Sequence, residues 1–337
     1  MPLESTSPES ISSDSQWHIE RRKQILQKHP EIKQYFGNYP LSVIPIVCLA
    51  IFQWSVALAL RGATWWIVGL TALLLGQFIL HALLTFVHEA AHKLILKGKA
   101  GYALSLCLIE LGALSFGETL TYVGKHGKSH HRYLNDYSRD YEWWDKKQAA
   151  FRMSRPCWRL VESLMHLFPG GVLVSDILID RNLPTEPRSI EAVRRPIRLN
   201  ILLIAESMLL YAIAGYLISW QAALYLFWSL TLVISYWGVT FKGQSIAEHN
   251  IYQTGKTYST YQWTNFFFFN TGYHDEHHTF ANVPWIYLPK IKKIAPEYFT
   301  NDNPYSYFQL WGLWAKSIFM PVRFNRYTDA SSFDSSL

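Results

Sequence analysis

Cysteine and charge are both scarce in this sequence of 337 residues. The three cysteines, Cys48, Cys107 and Cys157, lie far apart in or near apolar stretches, which excludes a disulfide framework and a cysteine-based metal or iron–sulfur site. Only 17% of the residues are charged, whereas 50% are apolar and 16% are aromatic. This balance is unusual for a soluble globular protein and typical of proteins that place Trp and Tyr belts at membrane interfaces.

Recognisable cofactor and targeting motifs are also missing. No Gly-rich fingerprint for a flavin or a nicotinamide opens a strand–helix–strand unit. The first residues have no positive region followed by an apolar core, so a cleavable signal peptide is not expected. Residues 1–16 and 326–337 are rich in Ser and are predicted to be disordered tails around a single domain of residues 17–325.

What the sequence does contain is four long apolar runs, each near the length that crosses a bilayer core. Very short turns join them in two pairs. The sequence therefore predicts an all-α integral membrane protein with four transmembrane helices in two hairpins, at residues 41–60, 64–87, 198–219 and 222–241. Two further stretches suit re-entrant or interfacial helices: residues 102–116, and residues 157–178, which are interrupted by Pro169-Gly170-Gly171.

Lysine and arginine set the predicted orientation. Basic residues precede the first hairpin and are frequent between residues 125 and 198, whereas both outer turns are tiny. Both termini and the histidine-rich segments are therefore expected on the cytoplasmic side, as a cap over the bilayer. The net charge of +6 suits a surface that rests on anionic headgroups and receives an acidic partner, and its spread along membrane flanks argues against nucleic acid.

Nine of the thirteen histidines fall in four short stretches of this predicted cytoplasmic side. The stretches HEAAH, HGKSHH, AEHN and HDEHH contribute His88, His92, His126, His130, His131, His249, His274, His277 and His278. Side chains four residues apart share a helix face, so His88 and His92 face together, as do His126 and His130. Nine imidazoles give four or five nitrogens to each of two metals with open positions, and iron is the metal expected.

Other interpretations of the same histidines predict different proteins. HEAAH matches HExxH, in which two histidines bind zinc and a glutamate is the general base of a protease, but that site leaves six clustered histidines unexplained. A metal carrier or transporter would place its ligands near mid-membrane rather than at one surface. His81 and His166 lie outside the clusters and are expected to be core or interface residues.

Taken together, HEAAH, SHHRYLND, AEHNIY and GYHDEHHTFANVPW resemble the membrane fatty acid desaturase superfamily, and RRKQILQKHPEIK before the first apolar run extends the likeness to its dihydroceramide (sphingolipid) desaturases. The resemblance covers roughly residues 17–310. It implies a di-iron centre near the membrane surface, above a narrow acyl tunnel, with O₂ as co-substrate. It also implies that the eight histidines other than His126 are metal ligands, with His126 as the ninth.

The second histidine box departs from the sphingolipid enzymes. There it reads HxxHH, which would put a histidine at position 127, but Gly127 stands here and the histidine is His126, as in the membrane alkane hydroxylases. One α-helical step rotates a side chain by about 100°, so His126 is expected to approach its iron differently. The resemblance implies an acyl-chain desaturase, with hydroxylation of an acyl or alkane chain as the alternative, because one set of ligands serves both outcomes.

Several ionisable residues are candidates for supporting roles. Carboxylates near the histidines orient metal-bound imidazoles in many sites, and the candidates here are Glu89, Asp136, Glu248, Asp275 and Glu276. Within the apolar runs, His81, Glu110 and Glu206 are expected to pair with one another, or, in the case of the two acids, to line the substrate tunnel. The alternative is an acid satisfied by nearby hydroxyl groups.

Electrons are expected from outside the chain, because the sequence has no motif for a redox cofactor that could supply them. A ferredoxin or a b-type cytochrome that docks on the basic cap is the predicted donor. The predicted partners are therefore a lipid acyl substrate, the bilayer and this donor.

Overall fold

The computed structural model describes residues 12–134, 136, 139–140, 155–182, 196–249 and 257–319. These residues form fourteen α-helices and no β-strand, which confirms the all-α prediction for this part of the chain. The helices are α1 (Ser13–Lys28), α2 (Val43–Ala59), α3 (Trp65–Thr71), α4 (Gln77–Ala91), α5 (Gly98–Ala113), α6 (Glu118–Lys125), α7 (Pro156–Met165), α8 (Gly171–Asn182), α9 (Ile197–Ala212), α10 (Trp220–Val233), α11 (Val239–Glu248), α12 (His274–Thr279), α13 (Leu288–Ile294) and α14 (Tyr307–Phe319).

Three helical segments are long and apolar enough to cross a membrane. They are Pro40–Ala59, Trp65–Ala91 and Ile197–Ile218, and they match three of the four predicted spans. The second combines α3 and α4 through a π-helical segment at Ala72–Gly76. Between the first two, the chain reverses at Gly62, whose φ of 83° is the left-handed conformation that glycine adopts without strain.

The fourth predicted span, residues 222–241, is not one continuous helix. Helix α10 ends at Val233, the chain turns, and α11 begins at Val239. The Ser235 hydroxyl accepts the Trp237 N–H at 3.0 Å, and a Cβ on Gly238 would lie 1.9 Å from the Val233 carbonyl oxygen. Only glycine fits so tight a turn. An α-helix of fourteen residues is about 21 Å long, shorter than the bilayer core.

Helices α5 and α6 form a pair that enters the helical bundle and returns. The C-terminal end of α5 lies beside the middle of α2, where the Trp54 indole donates to the Leu111 carbonyl at 2.6 Å. Between the two helices, Leu114 and Gly117 have positive φ. The Glu110 carboxylate accepts the N–H groups of Ser115 at 2.8 Å and Gly117 at 3.0 Å, so a buried acid holds the turn together.

The three ionisable residues of the apolar runs do not pair with one another. His81 Nδ1 lies 2.8 Å from the Thr240 hydroxyl, its Nε2 contacts Gln244, and its ring stacks on a phenylalanine. Glu110 also accepts the Ser207 hydroxyl at 2.7 Å. Glu206 lies next to the Cys107 thiol. Each finds a polar neighbour of its own, and the tunnel role of the two acids stays a prediction.

The predicted tails need one correction. Residues 1–11 and 320–337 lie outside the described residues, and they include the whole C-terminal tail. At the other end, α1 already begins at Ser13, inside the predicted tail of residues 1–16. The Ser12 side chain caps this helix by accepting the Ser15 N–H at 3.3 Å.

Helix α1 packs on the part of the chain that carries the last histidines. Ile25 of α1 and the nearby Ile32 are fully buried against Phe280, Val283 and Phe299. The predicted interruption at Pro169-Gly170-Gly171 is also present, because α7 ends at Met165 and α8 begins at Gly171.

Candidate metal centre

Histidines 88 and 92 project from the end of the second spanning segment. His88 lies in the last turn of α4, and His92 is the residue at which that helix ends. Lys93 follows in the left-handed region at φ 59°, so the chain leaves the helix axis at once. The i, i+4 spacing places both rings together, with centroids 5.3 Å apart, as the sequence predicts.

The second histidine box adopts an unusual backbone. Residues His126–His130 form a π-helical turn that continues α6. A π-turn takes about one residue more than an α-turn, so it absorbs an extra residue without rotating the residues after it. The result is that His126 still reaches its partners: its Nε2 lies 3.0 Å from His92 Nε2 and 3.1 Å from His131 Nε2.

The remaining histidines come from two helix ends in the last part of the described chain. His249 is the residue at which α11 ends. The six-residue helix α12 carries His274, His277 and His278, all buried. Because His274, His277 and His278 lie within an arc of about 100° around the α12 axis, this short helix can present donors to two neighbouring centres.

The nine histidines form two groups whose donor atoms lie within 4.8 Å of one another. The five-histidine group consists of His88, His92, His126, His131 and His277, and the four-histidine group consists of His130, His249, His274 and His278. All nine predicted residues are therefore brought together. Whether they bind metal stays a prediction.

In the five-histidine group, four Nε2 atoms form a closed ring. His92, His126, His131 and His277 succeed one another around it with edges of 3.0 to 3.1 Å. Two donors bound to one cation at about 2.1 Å and at right angles lie about 3.0 Å apart, which is the edge of this ring. A single proton per imidazole cannot satisfy every edge, whereas one cation among the lone pairs satisfies all four.

In the four-histidine group, His249 is central. Its Nε2 lies 3.1 Å from His130 Nε2 and 2.9 Å from His274 Nε2. The fourth member, His278, has a buried Nε2 without a hydrogen-bond partner among the described residues. Buried imidazole nitrogens that converge in this way fit a metal better than they fit one another.

The electrostatic surroundings keep these rings neutral. Burial lowers the pKa of six of them well below the usual value, and repulsion between neighbouring imidazoles lowers it further. They are His92, His126, His131, His274, His277 and His278. Neutral imidazole is the form that ligates metals.

Two carboxylates lie on the Nδ1 side of rings in the four-histidine group. Asp140 is fully buried, and its Oδ2 lies 2.9 Å from His130 Nδ1. Glu248 Oε1 lies 3.5 Å from His274 Nδ1. A carboxylate that accepts a hydrogen bond from Nδ1–H, as Asp140 does, fixes the tautomer that directs the Nε2 lone pair inward.

Of the five predicted carboxylates, Glu248 alone has a described contact with an imidazole. Glu89 accepts the Trp285 N–H at 3.1 Å, and Asp136 pairs with Arg139 at 2.6 Å. The sequence interpretation missed Asp140, which lies ten residues after His130 among several acids that no local pattern separates.

The other two predicted carboxylates, on α12, face away from the rings. Glu276 accepts hydroxyl hydrogen bonds from Ser259 and Tyr261, both at 2.6 Å, and burial raises its pKa to about 7. Asp275 pairs with Arg21 of α1, a residue that the sequence interpretation also missed.

Arg21 forms the strongest contact between α1 and the histidine-bearing helix α12. Its guanidinium binds both Asp275 oxygens, at 2.6 and 2.8 Å, and it lies over the Trp17 ring at 4.2 Å. His18, one turn earlier, is buried beside the Thr279 hydroxyl at 3.2 Å. Planar, two-point contact of this kind fixes orientation as well as charge.

A small cavity adjoins the five-histidine group. Its volume is about 10 Å³, room for one water-sized molecule. Polar and apolar residues share its wall, among them Thr85, His88, Glu89, Phe269, His277 and Trp285. Glu89 therefore faces this cavity and the Trp285 amide. His88 and His92, the two histidines of the HExxH match, lie in the same site as seven other histidines. The site therefore does not resemble the single-zinc centre of an HExxH protease.

Comparison with known families gives two matches. The fatty acid desaturase family matches residues 63–311, which include every one of the nine histidines. The sphingolipid Delta4-desaturase family matches residues 12–41, which include α1 and Arg21.

Curated relatives agree over most of the chain. A putative sphingolipid delta(4)-desaturase/C4-monooxygenase of Caenorhabditis elegans is 29% identical over 84% of this chain and 74% of its own length. Sphingolipid delta(4)-desaturase DES1 of Drosophila melanogaster is 29% identical over 84% of this chain and 83% of its own.

The human sphingolipid delta(4)-desaturase/C4-monooxygenase DES2 is 29% identical over 85% of this chain and 86% of its own length. No solved structure matches the chain. The apolar helices, the gathered histidines and the family match over residues 63–311 lead to one assignment: the chain belongs to the fatty acid desaturase family of membrane oxidoreductases.

Proposed function

We propose that this chain is an O₂-dependent di-iron desaturase that introduces a double bond into the acyl or sphingoid chain of a membrane lipid. The observation that carries the proposal is the division of nine imidazoles into two adjacent groups of five and four donors. In this proposal, each group holds one iron, and all nine histidines are ligands. Bound iron would supply the O₂ chemistry that takes hydrogen from an unactivated methylene.

The protein's own residues would fix the geometry around that chemistry. Asp140 would hold the tautomer of His130, so that its Nε2 lone pair faces inward. Glu248 lies 3.5 Å from His274 Nδ1 and adds negative charge beside that ring. Arg21 holds α12, and with it three of the nine rings. Burial of the four-histidine group, and of His126 and His277 in the other group, would limit the access of water to the donors.

A sphingolipid is the substrate class that we favour. The relatives carry names for delta(4) desaturation and, in two cases, C4 monooxygenation of sphingolipids. Hydroxylation is therefore the second candidate function for this chain. The HxxxHH box of the chain resembles the hydroxylase pattern and supports this candidate.

We also propose the membrane arrangement. The broken pair α10–α11 would make the fourth crossing, because the Gln221 side chain contacts the Ala63 carbonyl at the turn after α2, while α11 ends at His249 in the centre. The histidine groups and α1 would then form a cytoplasmic cap, with both termini on that side. Residues 17–325 would act as a single domain.

An external electron donor completes the proposal. Exposed lysines on and near α1 and α13, namely Lys23, Lys33, Lys290 and Lys293, support docking of an acidic ferredoxin or b-type cytochrome on the cap.

The test is expression of the intact chain in a host without sphingolipid desaturase, followed by mass spectrometry of its lipids. A new double bond or hydroxyl group should appear with the intact chain and not with His277→Ala, and its position identifies the substrate. Two irons per purified chain are expected. Iron-free protein with no new lipid would contradict the proposal.

A further inference from the structure

One exposed aromatic segment is explained neither by the metal centre nor by the three long helices. The aromatic loop, defined as residues 262–269, has the sequence QWTNFFFF, and no Asp, Glu, Lys or Arg occurs from residue 257 to residue 273. Trp263, Phe266 and Phe267 are 62%, 82% and 55% exposed. Three large aromatic side chains exposed within five residues would be costly to hydrate, so this surface needs an apolar neighbour.

The backbone of the aromatic loop is hydrogen-bonded within the protein. The segment Trp263–Phe266 is a 3-10 helix, and the amides of Phe267 and Phe268 donate to the Thr264 carbonyl at 3.0 and 3.1 Å. Internal hydrogen bonds of this kind lower the cost of placing non-helical backbone against an apolar environment.

Asn265 completes this internal bonding. Its side-chain amide donates to the Thr260 carbonyl at 2.6 Å, and its side-chain oxygen accepts the Gly272 N–H at 2.9 Å. A Cβ on Gly272 would come within 2.4 Å of that oxygen, so the loop closes tightly around one amide side chain.

The aromatic loop lies against the second spanning segment, well before its cytoplasmic end. Phe268 stacks on His81 at 4.0 Å, and Trp263 stacks on Phe308, which in turn contacts Phe78 at 6.1 Å. Phe78 precedes His88 by ten residues, or about 15 Å along the helix. The loop is therefore beside the apolar helix and below the histidine groups.

The lipid-facing side of that spanning segment continues into the loop. Leu70 and Leu74 are exposed on α3 and on the π-helical segment, and Phe78 follows Leu74 after one turn on the same face. An apolar stripe on a membrane-spanning helix contacts acyl chains, and the aromatic loop extends it without an intervening charge.

We propose that the aromatic loop is inserted into the cytoplasmic leaflet, where it contacts the acyl chains of membrane lipids. We also propose that the substrate chain approaches the metal centre along this loop. The second part deepens the proposed function and rests on it. Phe267 is exposed, whereas Phe269, two residues on, packs on Phe86 at 4.6 Å and lines the cavity beside His88 and His277. The loop thus forms the wall between bilayer and histidines.

The insertion is tested by electron paramagnetic resonance of a nitroxide at Phe266→Cys in liposomes, with Cys48, Cys107 and Cys157 replaced by Ser. The measured quantity is the ratio of collisions with O₂, which concentrates in lipid, to collisions with a water-soluble nickel chelate. Leu74→Cys is the lipid-exposed control, and Lys28→Cys is the water-exposed control, since their side chains are 68% and 58% exposed.

The ratio at Phe266 should match that at Leu74. A ratio like that at Lys28 overturns the insertion, and low collision with both probes overturns it too, because a second protein would then cover the loop. The measurement needs neither iron nor turnover, so its result does not depend on whether the protein is a desaturase.

The substrate route is tested by Phe266→Asp in the full, iron-loaded chain. Because the changed residue is remote from the donors, KM for a lipid substrate in vesicles should rise several-fold, with kcat and iron content unchanged. Tyr216→Asp, a highly exposed aromatic near the far end of α9, is the matched control and should leave KM unchanged. An unchanged KM for Phe266→Asp would overturn the route.

Discussion

The two histidine groups are built from the same ring and are held in different ways. In the five-histidine group, three rings are partly exposed, and a cavity opens beside His88 and His277. In the four-histidine group, every ring is buried, and the carboxylates Asp140 and Glu248 stand behind two of them. In the proposed enzyme, this difference would place the first group beside the reacting chain, while its surroundings fix the second.

The groups also differ in how much redundancy their donors offer. Loss of one ring leaves four nitrogens in the first group and three in the second, and among the described residues only the second group has a carboxylate hydrogen-bonded to a ring. Single substitutions can therefore show whether the two groups bind iron separately or act as one.

The largest effect is expected from removing one donor. In His249→Ala, the four-histidine group should lose its iron, and activity should fall by more than about 100-fold, since changes behind a ligand alone cost about 10–100-fold. His131→Ala should keep two irons per chain with reduced turnover. Iron per chain and lipid product measure the two effects. Equal iron loss in both variants would show that the groups do not differ in this respect.

A smaller effect is expected when the support behind a ring is weakened. In Asp140→Asn, the charge that orients His130 is lost while the volume is kept, so activity or iron affinity should fall by about 10–100-fold. Asp136→Asn is the matched control, because Asp136 pairs with Arg139 near the surface. Iron titration of both variants measures the effect. If the control lost as much affinity as Asp140→Asn, orientation of His130 would not be the cause.

Arg21→Met tests whether α12 holds both groups in place. Removing the guanidinium leaves the buried Asp275 carboxylate without its charged partner, which should lower the free energy of unfolding by about 3–5 kcal/mol. Thermal melting in detergent measures the loss, and iron should be lost from both groups together. Arg21→Lys should restore part of the stability.

The control for Arg21 is Lys28→Met, which breaks an exposed ion pair of the same helix with Glu297. Its melting temperature should not change. Retention of one iron by Arg21→Met would show that α12 can serve one group without the other.

The smallest effect is expected from deleting Gly127. The deletion turns HxxxHH into HxxHH, and the π-turn of His126–His130 should become an α-turn that presents the same rings. Iron content should be unchanged, and turnover should change only a few-fold. Deleting Gly124 instead should abolish iron binding, because it rotates the buried residues Leu120 and Val123 of α6 by about 100°.

Periodic features of the fold and the site could be predicted from the sequence. The apolar runs correctly predicted three spanning segments. The i, i+4 spacing of the histidines, and their position on one predicted side of the membrane, correctly predicted that all nine lie together. The break after α10 could not be predicted from hydropathy, because it depends on a close approach of Gly238 to a single carbonyl. The different approach of His126 to its iron stays a prediction, but the 100° rotation was calculated for a regular α-helix, and a local π-turn stands there instead.

The contacts that Asp140 and Arg21 make could not be predicted from the sequence. Asp140 is one of several acids after the second box, and nothing in its neighbours marks it as the partner of His130. Arg21 lies in a segment with several charged residues, and nothing in the sequence separates it from them. Only the folded structure shows that this guanidinium is buried on α12.

The ion pair of Arg21 and Asp275 joins residues 254 positions apart, which has a consequence for biosynthesis. Helix α1 leaves the ribosome first, and its partner helix follows only after the spanning segments have been made. Neither histidine group can therefore be completed until α12 has been made, late in translation or after it. A chain truncated before residue 274 would keep its three apolar helices but would lack donors from both groups.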